Sequence, residues 1–129
     1  MTDNIYQQAI IDEAQNPRNQ GSLDVIGATG NEVISHQETN ASCGDEVIIY
    51  LKLSKDEKIV KDIRWSGHGC VVSQASMSVL SDKIKGTEVQ KIKAWTKKDL
   101  LPFFGMETIS AGREKCFMMG LRAVQKMLV

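Results

Sequence analysis

Three cysteines, Cys43, Cys70 and Cys116, and an aspartate two residues past the first of them, Asp45, are the side chains here whose types could hold a soft metal. Three thiolates and one carboxylate offer four bonds, the number that a zinc ion or an iron–sulfur cluster takes from a protein. The cysteines stand 27 and 46 residues apart, so no Cys-x-x-Cys knuckle, redox pair or haem-attachment motif is present. An odd number of thiols also leaves no complete disulfide framework.

Each candidate ligand sits where the local sequence would present it. Asn40-Ala41-Ser42-Cys43-Gly44-Asp45 reads as a turn. Side chains along an extended chain repeat every two residues, so Cys43 and Asp45 point the same way while Gly44 frees the backbone between them. Cys70 follows Gly67-His68-Gly69 and opens a stripe beginning at Val72, which places it at a helix N-terminus; Cys116 follows Gly112 and is expected early in the last helix. Backbone N–H groups and the positive end of the helix dipole favour a thiolate at both places, ready for a metal or for attack on a sulfane donor.

Every one of these residues also has a plainer explanation. A lone cysteine is often a small core hydrophobe, but all three here follow glycine or polar residues at element ends. Asp45 by itself would be a turn residue or a cap. His68 is read as a solvated loop histidine because four better donors are at hand, His36 as a surface residue of a strand, and Met118 and Met119 as core filler. Lys115 either stabilises the Cys116 thiolate with its charge or is an ordinary solvated lysine at a helix start. Residue types and spacing leave zinc and iron–sulfur occupancy equally open.

The elements that must position these groups form one domain, 1–129. At 129 residues, 42% hydrophobic and 25% charged, the chain can bury one core and is short for two. Sixteen basic and sixteen acidic residues cancel, and no Lys/Arg run is interleaved with aromatics, so no nucleic-acid surface is expected. Residues 1–6 lack the basic start and apolar core of a signal peptide, and no apolar run approaches the ~18 residues of a span. No membrane association is expected, and the place expected for the protein is the cytoplasm, with its thiols reduced.

The first element is a helix carrying Ile5, Ala9, Ile10 and Ala14 at near-helical spacing, stopped at Asn16-Pro17-Arg18-Asn19-Gln20-Gly21. After a polar, glycine-bearing loop a short strand is expected over Glu32 to Gln37. Val47, Ile49, Leu51 and Leu53 then alternate as a strand does, and Ile59, Ile63 and Trp65 resume the alternation after a turn at Ser54 to Lys58. Val72, Ala75, Ser76, Val79 and Leu80 stripe a helix that ends near Gly86. Thr87-Glu88-Val89-Gln90 reads as a capped helix start, Lys97 to Phe104 as a short helix ended near Pro102, and Phe117, Leu121, Val124 and Leu128 as one face of a C-terminal helix. The sum is an α+β domain: a small three-stranded antiparallel sheet with helices packed on one face.

Several pieces together resemble the U-type iron–sulfur cluster assembly scaffolds, the family of IscU, SufU and the N-terminal domain of NifU, over almost the whole chain. They are Tyr6 followed by Asn16 to Gly21, the Cys43-Gly44-Asp45 loop, the Gly69-Cys70 helix start with its Ser/Ala-rich sequel, and Arg113-Glu114-Lys115-Cys116. The resemblance implies a scaffold that takes sulfur from a cysteine desulfurase, builds a transient [2Fe–2S] cluster and passes it to iron–sulfur acceptor proteins. It makes Cys43, Asp45, Cys70 and Cys116 the cluster or zinc ligands and Cys116 a persulfide carrier.

The departures carry information too. Lys115 stands where IscU-type members have a histidine, a SufU-like feature that supports the alternative of a zinc-dependent sulfurtransferase, a persulfide acceptor that activates its desulfurase. The 46-residue interval before Cys116 is IscU-like. Thr108 to Gly112 replaces the Leu-Pro-Pro-Val-Lys motif that engages a dedicated heat-shock chaperone, so the resemblance gives no ground for chaperone-assisted transfer. Glu13 stands where the family often has a histidine.

Overall fold

Alternation of apolar residues builds the middle of the sheet. The computed structural model describes residues 2–22, 33–40, 44–105 and 108–128, with backbone alone for 2–7 and 40. Asp45–Leu53 (β2) lies between Val33–Asn40 (β1) and Val60–His68 (β3), and both pairings are antiparallel. Val47, Ile49 and Leu51 of β2 are buried with Val60, Ile63 and Trp65 of β3, whereas Glu46, Ile48 and Tyr50 between them are only half-buried. A register shift between Lys52 and Leu53 accounts for the break in period on β3, where burial runs from Val60 to Ile63 before alternating again. The β2–β3 turn is tied by the Ser54 hydroxyl, which accepts the Lys58 and Ile59 N–H groups at 3.2 and 3.1 Å.

The helices are Thr2–Gln15 (α1), Val71–Ile84 (α2), Val89–Ala94 (α3), Lys97–Leu100 (α4) with a 3-10 turn at Leu101–Phe104, and Ala111–Met127 (α5). α2 and α5 pack on the sheet and on each other, and α1 packs on α2, giving the expected α+β architecture. Ile49, Leu51, Trp65, Leu80, Leu121 and Val124 form the centre of the core. Fully burying each such side chain contributes about 1.5–3 kcal/mol. Met118 and Met119 are buried in it, as expected of filler.

Because α2 is covered on three sides, its stripe widens to nearly the whole circumference and takes in Ser73, Ser76, Ser78 and Ser81, all buried. Serine lets helices approach closely, but its hydroxyl needs a partner in the interior. Ser76 and Ser81 donate to the carbonyls of Ser73 and Ser78 at 3.2 and 2.7 Å, and Ser78 donates to Glu13 Oε2 at 2.5 Å. The Asn16 to Gly21 stretch supplies the other half of this fastening. Ser78 Oγ accepts the Arg18 N–H at 2.7 Å, Arg18 Nε pairs with Glu13 at 3.0 Å, and the Arg18 carbonyl accepts the Trp65 indole N–H at 2.7 Å. Asn19 and Gly21, with φ of 60° and 133°, exchange backbone bonds with Trp65 at 3.0 and 2.8 Å. The motif therefore clamps the end of α1 to α2 and β3 at once.

Four details differ from the sequence reading. On α1, Ile10, Ile11, Glu13 and Ala14 are half-buried and Ala9 is exposed, because the contact face is centred on Ile10 and Ala14; the side chains of Ile5 and Tyr6 lie outside the described residues. β1 runs on to Asn40, and Glu32 is outside the described residues. Thr87 does not cap α3: its hydroxyl donates to the Lys83 carbonyl at 2.6 Å, finishing α2, and Glu88 holds the cap position. A capping box forms instead at the next helix, α4, where the Thr96 N–H and hydroxyl reach Asp99 Oδ2 at 2.7 and 3.1 Å. Pro102 does not end the segment, since its lack of an N–H is harmless at the start of a 3-10 turn, which Gly105 closes with φ of 67°.

Candidate metal centre

Closing the β2–β3 hairpin brings the first residue of β2 beside the last residues of β3, with Glu46 opposite His68. Asp45 thereby meets Cys70 across 25 residues of sequence. Asp45 is 2% exposed and accepts the Cys70 backbone N–H through Oδ1 at 3.0 Å, which compensates part of the cost of burying a polar group. Oδ2 lies 4.0 Å from Cys70 Sγ.

Cys70 is the N-cap of α2. Its sulfur accepts the Ser73 N–H at 3.4 Å, and the Ser73 hydroxyl donates to the Cys70 carbonyl at 3.0 Å, so sulfur takes the place that a serine or aspartate oxygen usually fills. Two glycines make this approach possible. A Cβ on Gly69 would stand 2.5 Å from Ser73 Oγ and 2.6 Å from Asp45 Oδ1, and a Cβ on Gly67, at φ of 143°, would overlap the Glu46 carbonyl.

Cys116 reaches the same point from α5. One ligand atom each of Asp45, Cys70 and Cys116 falls within 4.8 Å of the other two. Asp45 and Cys116 are buried and Cys70 is exposed. Cys116 is the sixth residue of α5 and not at its start, because Ser110, rather than Gly112, holds the cap position. Its sulfur is thus past the first-turn N–H groups, whereas the Cys70 sulfur accepts one of them from Ser73. Cys43, the fourth expected ligand, lies outside the described residues, two positions before Asp45 and next to Gly44, whose φ is 72°.

A groove of about 490 Å³ opens onto the two sulfurs, lined by Ile10 and Ile11 of α1, Val71 and Val72 of α2, and Gly112 and Arg113 of α5. Val71 is 46% exposed there. Lys115 is exposed but is not among the groove's lining residues. His68 is exposed at the end of β3 and does not join the described ligand cluster. His36 departs from its expected surface position: it is half-buried on the helix-facing side of β1, 2.8 Å from Glu38, which also holds Lys126 of α5 at 2.8 Å.

Sequence reasoning assigns no site role to Gly69, Ser73 or Arg113, although Gly69 and Arg113 belong to its recognised motifs. The first two were visible as a glycine before the cap and a hydroxyl three residues after it, a capping pattern with sulfur in the cap position. The donor set fits zinc or iron, which soft thiolates select, and does not fit magnesium or calcium, which require oxygen. One carboxylate among thiolates makes such a site more exchangeable than an all-thiolate one.

Comparison with known proteins bears on this centre. The family model for the NifU-like N terminal domain matches residues 5–129. The iron–sulfur cluster assembly scaffold protein IscU of Thermotoga maritima is 38% identical over 88 residues, 68% of this chain and 56% of that relative. The zinc-dependent sulfurtransferase SufU of Bacillus subtilis is 36% identical over 95 residues, 74% of this chain and 58% of that relative. The chain therefore aligns with a little over half the length of these curated relatives. Among solved structures, an iron–sulfur cluster assembly scaffold protein for the SUF system from Fervidobacterium islandicum superposes with a TM-score of 0.73 at 23% identity, covering 95% of both chains. The N-terminal part of a NifU-like protein from Brucella abortus superposes with a TM-score of 0.71 at 20% identity, covering 97% of this chain and 92% of that one. At such identities these two report on the fold.

Proposed function

Because the chain belongs to the NifU-like N-terminal domain family, we propose that it is an iron–sulfur cluster assembly scaffold, one domain over 1–129. It takes sulfur from a cysteine desulfurase, assembles a [2Fe–2S] cluster as cargo and passes it to acceptor proteins. The observation that carries this reading is the convergence of Asp45, Cys70 and Cys116 within 4.8 Å on three different elements. With Cys43 they supply the four bonds the cargo needs.

Sulfur arrives by persulfide exchange. The Cys116 thiolate attacks the outer sulfur of the donor's persulfide, the donor's S–S bond breaks, and the donor leaves as a thiolate, with no net oxidation. The groove beside Cys70 and Cys116 gives the donor its approach. Thiolate chemistry of this kind needs a reducing compartment, and the cytoplasm is the place proposed. No described helix is long and apolar enough to cross a membrane.

Lys115 and the likeness to a zinc-dependent sulfurtransferase favour a second reading, in which zinc stays on the same ligands and the protein activates its desulfurase. Anaerobic purification followed by iron, sulfide and zinc analysis separates the two. Uptake of two irons and two sulfides, with transfer to an apo acceptor, is expected of a scaffold; retained zinc with desulfurase activation and no cluster uptake overturns it.

A further inference from the structure

We propose that Arg113 is the countercharge of the loaded site and sets how firmly the site retains its cargo. The inference rests on the metal-binding reading above. Three thiolates and a carboxylate carry four negative charges, and either a zinc dication or a doubly positive [2Fe–2S] core cancels two of them. Both cargoes leave the site with a net double negative charge. The groove around it is walled by Ile10, Ile11, Val71 and Val72, which offer no compensation and lower the local dielectric, so a nearby cation counts for more than it would in water.

Among the described residues, Arg113 is the cation that lines this groove beside Cys70 and Cys116. It stands three residues before Cys116 on α5, close to one helical turn and so on the same face, whereas Lys115, the neighbour in sequence, is turned roughly 100° away. Nor is Arg113 neutralised elsewhere among the described residues. It forms no ion pair among them, and the adjacent carboxylate, Glu114, is held by Lys97 at 2.6 Å. By contrast Arg18, Arg64 and Lys126 are all committed to carboxylates. A guanidinium stays charged at every working pH, so the compensation is present whenever cargo is.

The test uses the full chain and zinc ion alone as the probe, with affinity read by competition against a chromophoric chelator. Arg113→Gln is expected to weaken zinc binding about three- to tenfold. Arg113→Lys restores most of the loss, and the gap between wild type and the glutamine variant narrows as salt rises. Because Arg113 is exposed, the zinc-free melting temperature of the glutamine variant stays at the wild-type value. Equal zinc affinity in Arg113→Gln, failure of lysine to restore it, a fall in the zinc-free melting temperature, or a larger loss from Lys115→Gln overturns the assignment. A wild-type protein that binds no zinc through its cysteines overturns instead the metal-binding reading on which it rests.

Discussion

The Asp45 carboxylate divides its two oxygens between two tasks: Oδ1 receives the Cys70 backbone N–H at 3.0 Å and Oδ2 lies 4.0 Å from the Cys70 sulfur. The candidate ligand is thereby oriented by the backbone of its neighbouring ligand. As a ligand it would offer one oxygen, harder and more exchangeable than thiolate.

Replacing it should lengthen the life of the cargo while weakening the fold. Asp45→Ala is expected to hold a reconstituted cluster longer and to transfer it more slowly, followed anaerobically by visible absorption and by activation of an apo acceptor. The stranded Cys70 N–H should cost about 1–3 kcal/mol of stability in denaturant. Equal cluster lifetimes and transfer rates would sink the idea.

Gly69→Ala should act on the same centre without replacing a ligand. Its new methyl would press on Ser73 Oγ and the Asp45 carboxylate, both inside contact distance. Zinc affinity is expected to fall about tenfold or more, the equivalent of a displacement costing at least ~1.4 kcal/mol. An unaltered affinity would show that Asp45 can move aside freely.

Ser78→Ala removes a buried hydroxyl that both donates to Glu13 and accepts from Arg18. A loss of about 1–3 kcal/mol is expected, measured by urea denaturation. Hydrogen exchange should rise first in α1, because the clamp fastens that helix; a uniform rise across the fold would contradict this local role.

Glu38 gives the acid limb of stability a specific contributor. Burial pushes its carboxyl upward, but hydrogen bonds and charge from Lys126 and His36 together outweigh that and hold it below its ordinary value of 4.5. A depressed folded-state pKa means stability present above the unfolded value and lost as pH falls through the folded one. Glu38→Gln should therefore lower stability at neutral pH and flatten its decline below about pH 4.5. Parallel stability curves for the two proteins across that range would refute the assignment.

Much of this arrangement was legible where one period decided the outcome. The alternation Val47, Ile49, Leu51 gave a strand with one buried face, and glycine ahead of Cys70 gave a helix start. What stayed hidden depended on other elements. Ala9 matches a helical stripe, yet its exposure is decided by where α2 lies. Thr87 and Thr96 carry similar capping patterns, and α2 claims the hydroxyl of the first. Adjacency drew attention to Lys115, whereas helical rotation puts Arg113 over the groove. Gly112 suggests a helix start close before Cys116, but Ser110 sets the boundary further back.

The centre joins two parts of the chain that come together at different sequence ranges: Asp45 and Cys70 through one hairpin, Cys116 only when α5 docks. A cargo bonded across that seam is a crosslink. Like a disulfide, it removes freedom from the unfolded chain by closing a long loop, and by linkage it adds its binding free energy to folding. Unlike a disulfide, it is handed on by a protein acting as the proposed scaffold. Loaded and emptied molecules of one sequence should therefore differ in how tightly α5 is fastened, so that on the proposed function delivery would loosen the carrier.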